Sequence, residues 1–191
     1  MGITVVSLSG PSGSGKTSLV QAIAQRLPNA ISLHFDDYKE TTQFPEDLTS
    51  WIRNGCDPNE WLTPKMVEDL QILRNKQKAV NGWVIVEEPF GRNRDSITSF
   101  IDYVVCIDIP LEIAFARTVK RAAIAAPINV EVNKLLENIV EFVDQYLTVG
   151  RDTYAIVNKN VMQNSDLIVD GIKAIDVLAD EIVNRLIKQL E

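Results

Sequence analysis

At 191 residues the chain is long enough for one good-sized hydrophobic core and short for two, so we expect a single domain over residues 1–191. A formal net charge of −7 disfavours nucleic acid as a partner, and no run approaches the roughly 18 apolar residues of a membrane span. With no signal-peptide pattern and with two unrelated thiols, Cys56 and Cys106, we expect a cytoplasmic protein.

Apolar runs alternate along the chain with segments of helical period, which predicts an α/β domain built around a parallel sheet. The near-continuous apolar character of the runs is typical of strands that are buried on both faces. Five strands are predicted, at Ile3–Ser9, Ala30–Phe35, Trp83–Glu87, Tyr103–Ile109 and Leu167–Val169. Helices are predicted at about Lys16–Arg26, Pro64–Lys78, Leu111–Ala125, Val130–Val157 and Ile172–Leu190.

Two of the segments between the first and last strands need a closer description. The longest helical pattern, Val130–Val157, has apolar residues spaced for one buried face, and Gly150 is a candidate break in it. The segment 41–80 is least regular up to Thr63, where prolines, glycine and aromatics interrupt any period. We expect this segment to be a substrate-side insertion over the sheet.

A phosphate-binding motif follows the first predicted strand. The run from Gly10 to Thr17 matches the Walker A pattern G-x-x-x-x-G-K-S/T in full, with a strand before it and an amphipathic helix after it. Glycines let backbone N–H groups wrap closely around a phosphate, and the helix N-terminus adds a favourable dipole. The predicted nucleotide-binding residues are Gly10, Ser12, Gly13, Ser14, Gly15, Lys16, Thr17 and Ser18.

The motif defines a P-loop NTPase fold, a three-layer α/β/α domain, but it does not by itself separate kinases from switches. A GTPase would need N-K-x-D, and the run that begins at Asn158 lacks its aspartate. We therefore favour a kinase that uses ATP with Mg²⁺. In this interpretation Lys16 bridges the β- and γ-phosphates and the Thr17 hydroxyl binds the metal.

Carboxylates lie at the carboxyl ends of two predicted strands, where ligands bind in doubly wound sheets. Asp36 is the preferred general base toward an acceptor hydroxyl, with its neighbour Asp37 as the alternative or as a structural partner. Glu87 ends the third strand in the position of a Walker-B-type acid. The predicted metal ligands are Thr17, Asp36 and Glu87, and the predicted substrate-binding residues are Asp37, Tyr38, Trp61, Glu87 and Arg92.

Two arginines lie four residues apart on the predicted helix after the fourth strand, so they share a face. Phosphoryl transfer needs cations near the transferring group, and a mobile lid that carries arginines also excludes water. We therefore expect Arg117 and Arg121 to be catalytic and residues 111–130 to form a helical lid.

The order of these motifs resembles the uridine kinase and phosphoribulokinase-like group of P-loop kinases. The resemblance lies in Gly10–Thr17, Phe35–Lys39, Val84–Glu87 and the two lid arginines, with weaker similarity at Cys56–Trp61 and Asn164–Val169. It implies a five-stranded parallel sheet, ATP as phosphate donor, an aspartate base matching Asp36, and lid arginines matching Arg117 and Arg121.

The sequence departs from this group at several acceptor-side positions, for example at Asp36-Asp37-Tyr38 and at Glu87-Glu88. We expect a kinase of a nucleoside, a nucleoside-like riboside or another small alcohol, with the acceptor left open. One alternative is an ATP-binding regulatory module with slow hydrolysis. Another is a nucleoside monophosphate kinase, which would need Arg53 or Arg92 for the acceptor phosphate. The oligomeric state is also open, with a homodimer as one candidate.

Overall fold

A parallel sheet forms the centre of the computed structural model, which describes residues 2–76, 82–127 and 131–190. Its five strands have the spatial order β2-β3-β1-β4-β5, and each neighbouring pair is parallel. The strands are β1 Ile3–Ser9, β2 Ala30–Leu33, β3 Gly82–Glu87, β4 Tyr103–Asp108 and β5 Leu167–Asp170. The predicted five-stranded parallel sheet is therefore confirmed.

Helices cover both faces of the sheet. They are α1 Lys16–Arg26, α2 Leu48–Arg53, α3 Pro64–Lys76, α4 Asp95–Thr98, α5 Leu111–Ala125, α6 Val132–Gln145, α7 Arg151–Gln163 and α8 Ile175–Leu190. Within the described ranges, no helix combines the length and the apolar character that crossing a membrane requires.

The alternation of side chains along β1 explains how one strand serves two cores. Val6 and Leu8 pack with α1 and α8 on one face. Ile3 and Val5 pack on the other face, with residues of α3, α4 and α7. Since both faces are covered, the strands read as continuous apolar runs in the sequence.

The predicted helical stretch Val130–Val157 continues through Gly150, so the candidate break at that glycine is wrong. A π-helical turn, Tyr146–Gly150, joins α6 directly to α7, and Gly150 has helical dihedral angles (φ −64°, ψ −44°). A Cβ on Gly150 would come within 3.3 Å of the Tyr146 ring and 3.7 Å of the Tyr154 ring. The glycine therefore relieves a tight contact with the Tyr146 ring and does not break the helix.

Other predicted bounds differ by a few residues. The second strand stops at Leu33, because Phe35–Tyr38 forms a 3-10 turn, and α8 begins at Ile175. The predicted insertion 41–80 contains α2, a 3-10 turn at Pro58–Glu60 and α3. Residues 77–80 of that insertion and residues 128–130 of the predicted lid lie outside the described residues.

The carboxyl ends of β1, β2 and β3 bring the predicted motifs together. The P-loop follows β1, the Phe35–Tyr38 turn follows β2, and Glu87 is the last residue of β3. The register pairs Leu8 with Glu87, so the acid lies beside the start of the P-loop.

Candidate active site

The P-loop packs directly against helix α5. Gly13 has a left-handed backbone conformation (φ 81°), and a Cβ there would lie 2.0 Å from the Ala114 carbonyl oxygen and 2.5 Å from Thr118 Oγ1. No residue larger than glycine fits this contact without movement of the backbone. Gly15 (φ 95°) precedes α1, and no side chain caps that helix. The first amides of α1 are therefore available to an anion.

Lys16 lies folded along the loop that precedes it. Its Nζ donates hydrogen bonds to the carbonyl oxygens of Gly10 (2.9 Å) and Pro11 (3.1 Å) and lies 3.9 Å from Glu87 Oε1. Burial lowers the pKa of the Lys16 ammonium, and the carboxylates of Glu87 and Asp36 oppose that shift. The two acids therefore help to keep a buried ammonium charged beside the loop.

Glu87 connects the end of β3 to the first turn of α1. The Thr17 hydroxyl donates a 3.0 Å hydrogen bond to Glu87 Oε2, and Glu87 is 7% exposed. A hydroxyl and a carboxylate oxygen at this spacing are ligands that Mg²⁺ prefers. Close by, the Ser14 hydroxyl is buried without a hydrogen-bond partner in the described structure. The uncapped start of α1 and the Thr17–Glu87 pair fit a bound nucleotide phosphate and its metal.

A cavity of about 330 Å³ opens in front of the P-loop. The loop and the start of α1 form one side of it, and Phe35, Asp36 and Glu87 come from the strand ends. Helix α7 closes a further side with Thr153, Tyr154, Val157 and Asn158. Phosphate-binding groups and two carboxylates thus face a common space.

Three aromatic side chains, Trp51, Trp61 and Phe90, form what we call the aromatic wall of this cavity. The ring centroids are 5.6 Å apart for Trp51 and Trp61, 5.7 Å for Trp61 and Phe90, and 6.5 Å for Trp51 and Phe90. Trp51 is 2% exposed, and its indole N–H donates to the Asp57 carbonyl oxygen (2.7 Å). Such a wall suits an apolar or aromatic part of a ligand.

Many of the predicted site residues line this cavity. The acid Asp36, the acid Glu87, the aromatic Trp61 and the arginine Arg121 are among them. The predicted nucleotide-binding residues on its surface are Gly10, Ser12, Gly13, Gly15, Lys16, Thr17 and Ser18. Ser14 is not on that surface, because its side chain is buried beneath the loop (1% exposed).

The structure does not bring the other predicted residues to the cavity. Arg117 donates to the Gly171 carbonyl oxygen (3.1 Å), beyond the end of β5. Arg92 forms a 2.7 Å ion pair with Asp166. In this structure both arginines are held by partners outside the cavity, and their predicted roles stay predictions.

Two residues of the Phe35–Tyr38 turn are also displaced from the expected position. The tight turn directs Tyr38 into the core beside α3, where its hydroxyl donates to Asp69 (3.0 Å). Asp37 is exposed and is not part of the cavity lining. Asp36 is therefore the carboxylate of this pair that faces the cavity.

Sequence reasoning missed Trp51 and the α7 residues of the cavity. The α7 residues have the spacing of one helical face, at 153, 154, 157 and 158, but the pattern gives no indication of what that face contacts. For Trp51, a second tryptophan ten residues before Trp61 in the irregular segment was the available signal.

Fold and site together define the class of protein as a P-loop NTPase. No family model matches the chain. Uridine kinases from Borrelia garinii subsp. bavariensis and Borreliella burgdorferi are 23% and 24% identical to it, and each match covers 86% of this chain and 85% of the relative. The predicted resemblance to the uridine kinase group is therefore confirmed.

Solved structures agree on the fold. Shikimate kinase from Acinetobacter baumannii superposes with a TM-score of 0.56 at 15% identity, covering 98% of this chain and 94% of that one. A tunicamycin resistance protein from Deinococcus radiodurans gives a TM-score of 0.50 at 15% identity, covering 96% and 95%. These likenesses confirm the P-loop fold.

Proposed function

We propose that the protein is an ATP-dependent kinase that transfers the γ-phosphoryl group to a hydroxyl of a nucleoside or a nucleoside-like riboside. One observation carries the proposal: a phosphate-binding loop, an accessible carboxylate and an aromatic wall share one cavity of about 330 Å³. The uridine kinase relatives support the same class of acceptor. We further propose that the whole chain acts as one domain.

On the nucleotide side, the amides of the P-loop and the N-terminus of α1 bind the phosphates. Lys16 exchanges its bonds to the carbonyl oxygens of Gly10 and Pro11 for bonds to phosphate oxygens. Thr17 and Glu87, joined by a 3.0 Å hydrogen bond, would hold Mg²⁺, which would neutralise charge on the phosphates. Asp36 is the third candidate residue of the metal site.

On the acceptor side, Asp36 accepts the proton of the attacking hydroxyl. The acceptor oxygen forms a bond to the γ-phosphorus as the bond from that phosphorus to the β–γ bridging oxygen breaks, which releases ADP. Arg121 lies close enough to Lys16 to contribute to lowering that lysine's pKa. Its charge is therefore placed to stabilise the transferring group, and we propose that residues 111–130 act as the lid that carries it.

The charges around the cavity favour a ring-bearing alcohol over a phosphate-bearing acceptor. Among the described residues that line the cavity, the cations are Lys16 and Arg121. Arg92 is paired with Asp166, and Arg53 is exposed and does not line the cavity. An acceptor phosphate would lack the arginine that a nucleoside monophosphate kinase requires.

The test is ADP release with Mg²⁺ and ATP, measured with and without a panel of nucleosides, ribosides and sugar phosphates. We expect stimulation by a nucleoside or riboside, and its loss in both Asp36→Asn and Lys16→Ala. ATP binding without stimulation by any compound would favour the regulatory module with slow hydrolysis. Stimulation by nucleoside monophosphates alone would favour the monophosphate kinase.

The localisation, the partners and the oligomeric state of the protein are proposals as well. We propose a cytoplasmic enzyme whose partner is its small-molecule acceptor, with no nucleic acid or membrane partner, in line with the net charge of −7. A homodimer is the oligomeric form to test, by light scattering of the purified protein.

A further inference from the structure

A fully buried ion pair lies behind the aromatic wall. Glu88 follows β3 and Arg94 precedes α4, and both are 0% exposed. Arg94 Nη2 donates to Glu88 Oε2. Burial raises the pKa of the Glu88 carboxyl, and the Arg94 charge and hydrogen bond oppose that shift. In the described structure neither side chain is part of the cavity lining, so the pair would not contact a ligand bound in the cavity.

The remaining contacts of this pair go to two members of the aromatic wall. Arg94 Nη1 donates to the Trp61 carbonyl oxygen at 2.7 Å, and the guanidinium lies 5.8 Å from the centroid of the Phe90 ring. Glu88 Oε1 accepts a 3.1 Å hydrogen bond from the Phe90 amide. This ion pair thus fixes the backbone of two residues that come from separate parts of the chain.

A second connection runs parallel to the first. The Asp95 amide donates to Asn59 Oδ1 at 2.8 Å, which attaches the turn before Trp61 to the start of α4. The Trp51 indole is bound to the Asp57 carbonyl of the same turn. The wall therefore depends on how the insertion is attached to the segment after β3.

Stability alone is a weak reason for such a pair. Removing two charges from water costs free energy that their attraction rarely exceeds, and apolar residues of similar volume often serve as well. What apolar residues cannot supply is a donor for the Trp61 carbonyl together with an acceptor for the Phe90 amide. The specific contribution of the Glu88–Arg94 pair is therefore to fix the position of the aromatic wall.

We propose that Glu88 and Arg94 are positioning residues for the acceptor, which act by holding Trp61 and Phe90 together as one surface against which a flat ring of the acceptor packs. This inference rests on the proposed function, since it assigns the aromatic wall to the acceptor and not to ATP. The hydroxyl of a ring-bearing acceptor must lie within reach of Asp36, and a shift of about 1 Å in such a site can cost up to 10²-fold in rate.

The test compares kinetics of Arg94→Lys, Glu88→Gln and the double variant Glu88→Leu/Arg94→Met with the wild type, using uridine first and then the most active nucleoside of the panel. Lysine keeps the charge but cannot contact Glu88 and the Trp61 carbonyl as a planar fork. We expect the acceptor KM of Arg94→Lys to rise by about 10-fold to 100-fold with the KM for ATP within about twofold of wild type. Glu88→Gln keeps an oxygen for the Phe90 amide, so a smaller rise is expected.

The double variant separates positioning from stability. It removes both buried charges, so it should fold, as judged by near-UV circular dichroism, and should still show the raised acceptor KM. Arg74→Lys is the matched control, because Arg74 also donates to backbone carbonyls, of Ile3 and Phe100, and pairs with Asp102, away from the cavity. Its acceptor KM should equal that of the wild type.

An unchanged acceptor KM in Arg94→Lys, or a wild-type acceptor KM in the double variant, would overturn the inference and leave the proposed function standing. An equal rise in both KM values would also overturn it, because it would indicate a general loss of structure. If the wild type phosphorylates no member of the panel, the proposed function fails first, and the inference fails with it.

Discussion

The Thr17 hydroxyl and the Glu87 carboxylate are joined by a 3.0 Å hydrogen bond that links the start of α1 to the end of β3. Each comes from a different motif, 70 residues apart in the chain. In a parallel sheet the carboxyl ends of adjacent strands lie side by side, so the P-loop after β1 and the acid ending β3 become neighbours. The contact places two oxygen ligands at the edge of the phosphate site.

This pair predicts how metal and nucleotide binding are coupled. Glu87→Gln removes the negative charge while keeping the shape, so it should weaken ATP binding in the presence of Mg²⁺ by about 10-fold or more. In EDTA the affinities of the variant and the wild type for ATP should differ much less, because the metal is then absent from both and the remaining change is at the Glu87–Lys16 contact. Isothermal titration calorimetry under both conditions measures the difference. Glu68→Gln on the exposed face of α3 serves as control, and an equal loss of affinity in EDTA would contradict a metal role.

The position of Asp36 predicts which aspartate of the pair supports turnover. Asp36→Asn should lower kcat by about 10²-fold to 10⁴-fold, since amide nitrogen and oxygen cannot take the acceptor proton. ATP affinity should remain near that of the wild type. Asp37→Asn should retain most of the turnover, because Asp37 is exposed and outside the cavity lining. Steady-state kinetics of the two variants decide the point, and the reverse order of effects would make Asp37 the base.

Local motifs and strand ends were predictable because each depends on a short stretch of sequence. The Walker A motif predicted both the P-loop and the bounds Lys16–Arg26 of α1. Asp36 and Glu87 were found because the chemistry of a parallel sheet collects at its carboxyl edge. Bringing these residues together requires only the register and order of the strands, and it does not depend on the details of side-chain packing.

Features that depend on packing between distant segments were not predictable. Arg117 and Arg121 share a helix face, yet four residues of rise separate them by about 6 Å along the axis. One reaches the Gly171 carbonyl and the other reaches the cavity. Helical periodicity does not distinguish the contacts of the two arginines. Likewise, the place of Trp51 follows from how the insertion folds back over the end of β3.

Gly13 predicts a large effect from a single methyl group. Gly13→Ala would place Cβ 2.0 Å from the Ala114 carbonyl oxygen, so the P-loop must move away from α5. We expect loss of measurable ATP binding and a destabilisation above the roughly 1–2 kcal/mol of a left-handed backbone conformation alone. Gly55→Ala is the control, because its φ of 91° is also left-handed but nothing lies within 4 Å of the added Cβ. Thermal unfolding and ATP titration of both variants separate the steric clash at Gly13 from the backbone strain that both positions share. Equal losses of stability and of ATP affinity in the two variants would contradict the packing argument.

Both cysteines are buried, so we predict that their thiols react only after the protein unfolds. Cys56 is 1% exposed and Cys106 is 0% exposed, and burial raises the pKa of both thiols, that of Cys106 to about 12. The reactive species is the thiolate, so raising the pH from 7 to 9 should not produce the roughly tenfold gain per pH unit of a free thiol. A thiol-disulfide exchange reagent should label much less than one thiol per chain in the native state and two in guanidinium. Rapid labelling of Cys56 alone in the native protein would show that the segment beneath the aromatic wall opens readily, and rapid labelling of Cys106 would contradict its place in β4.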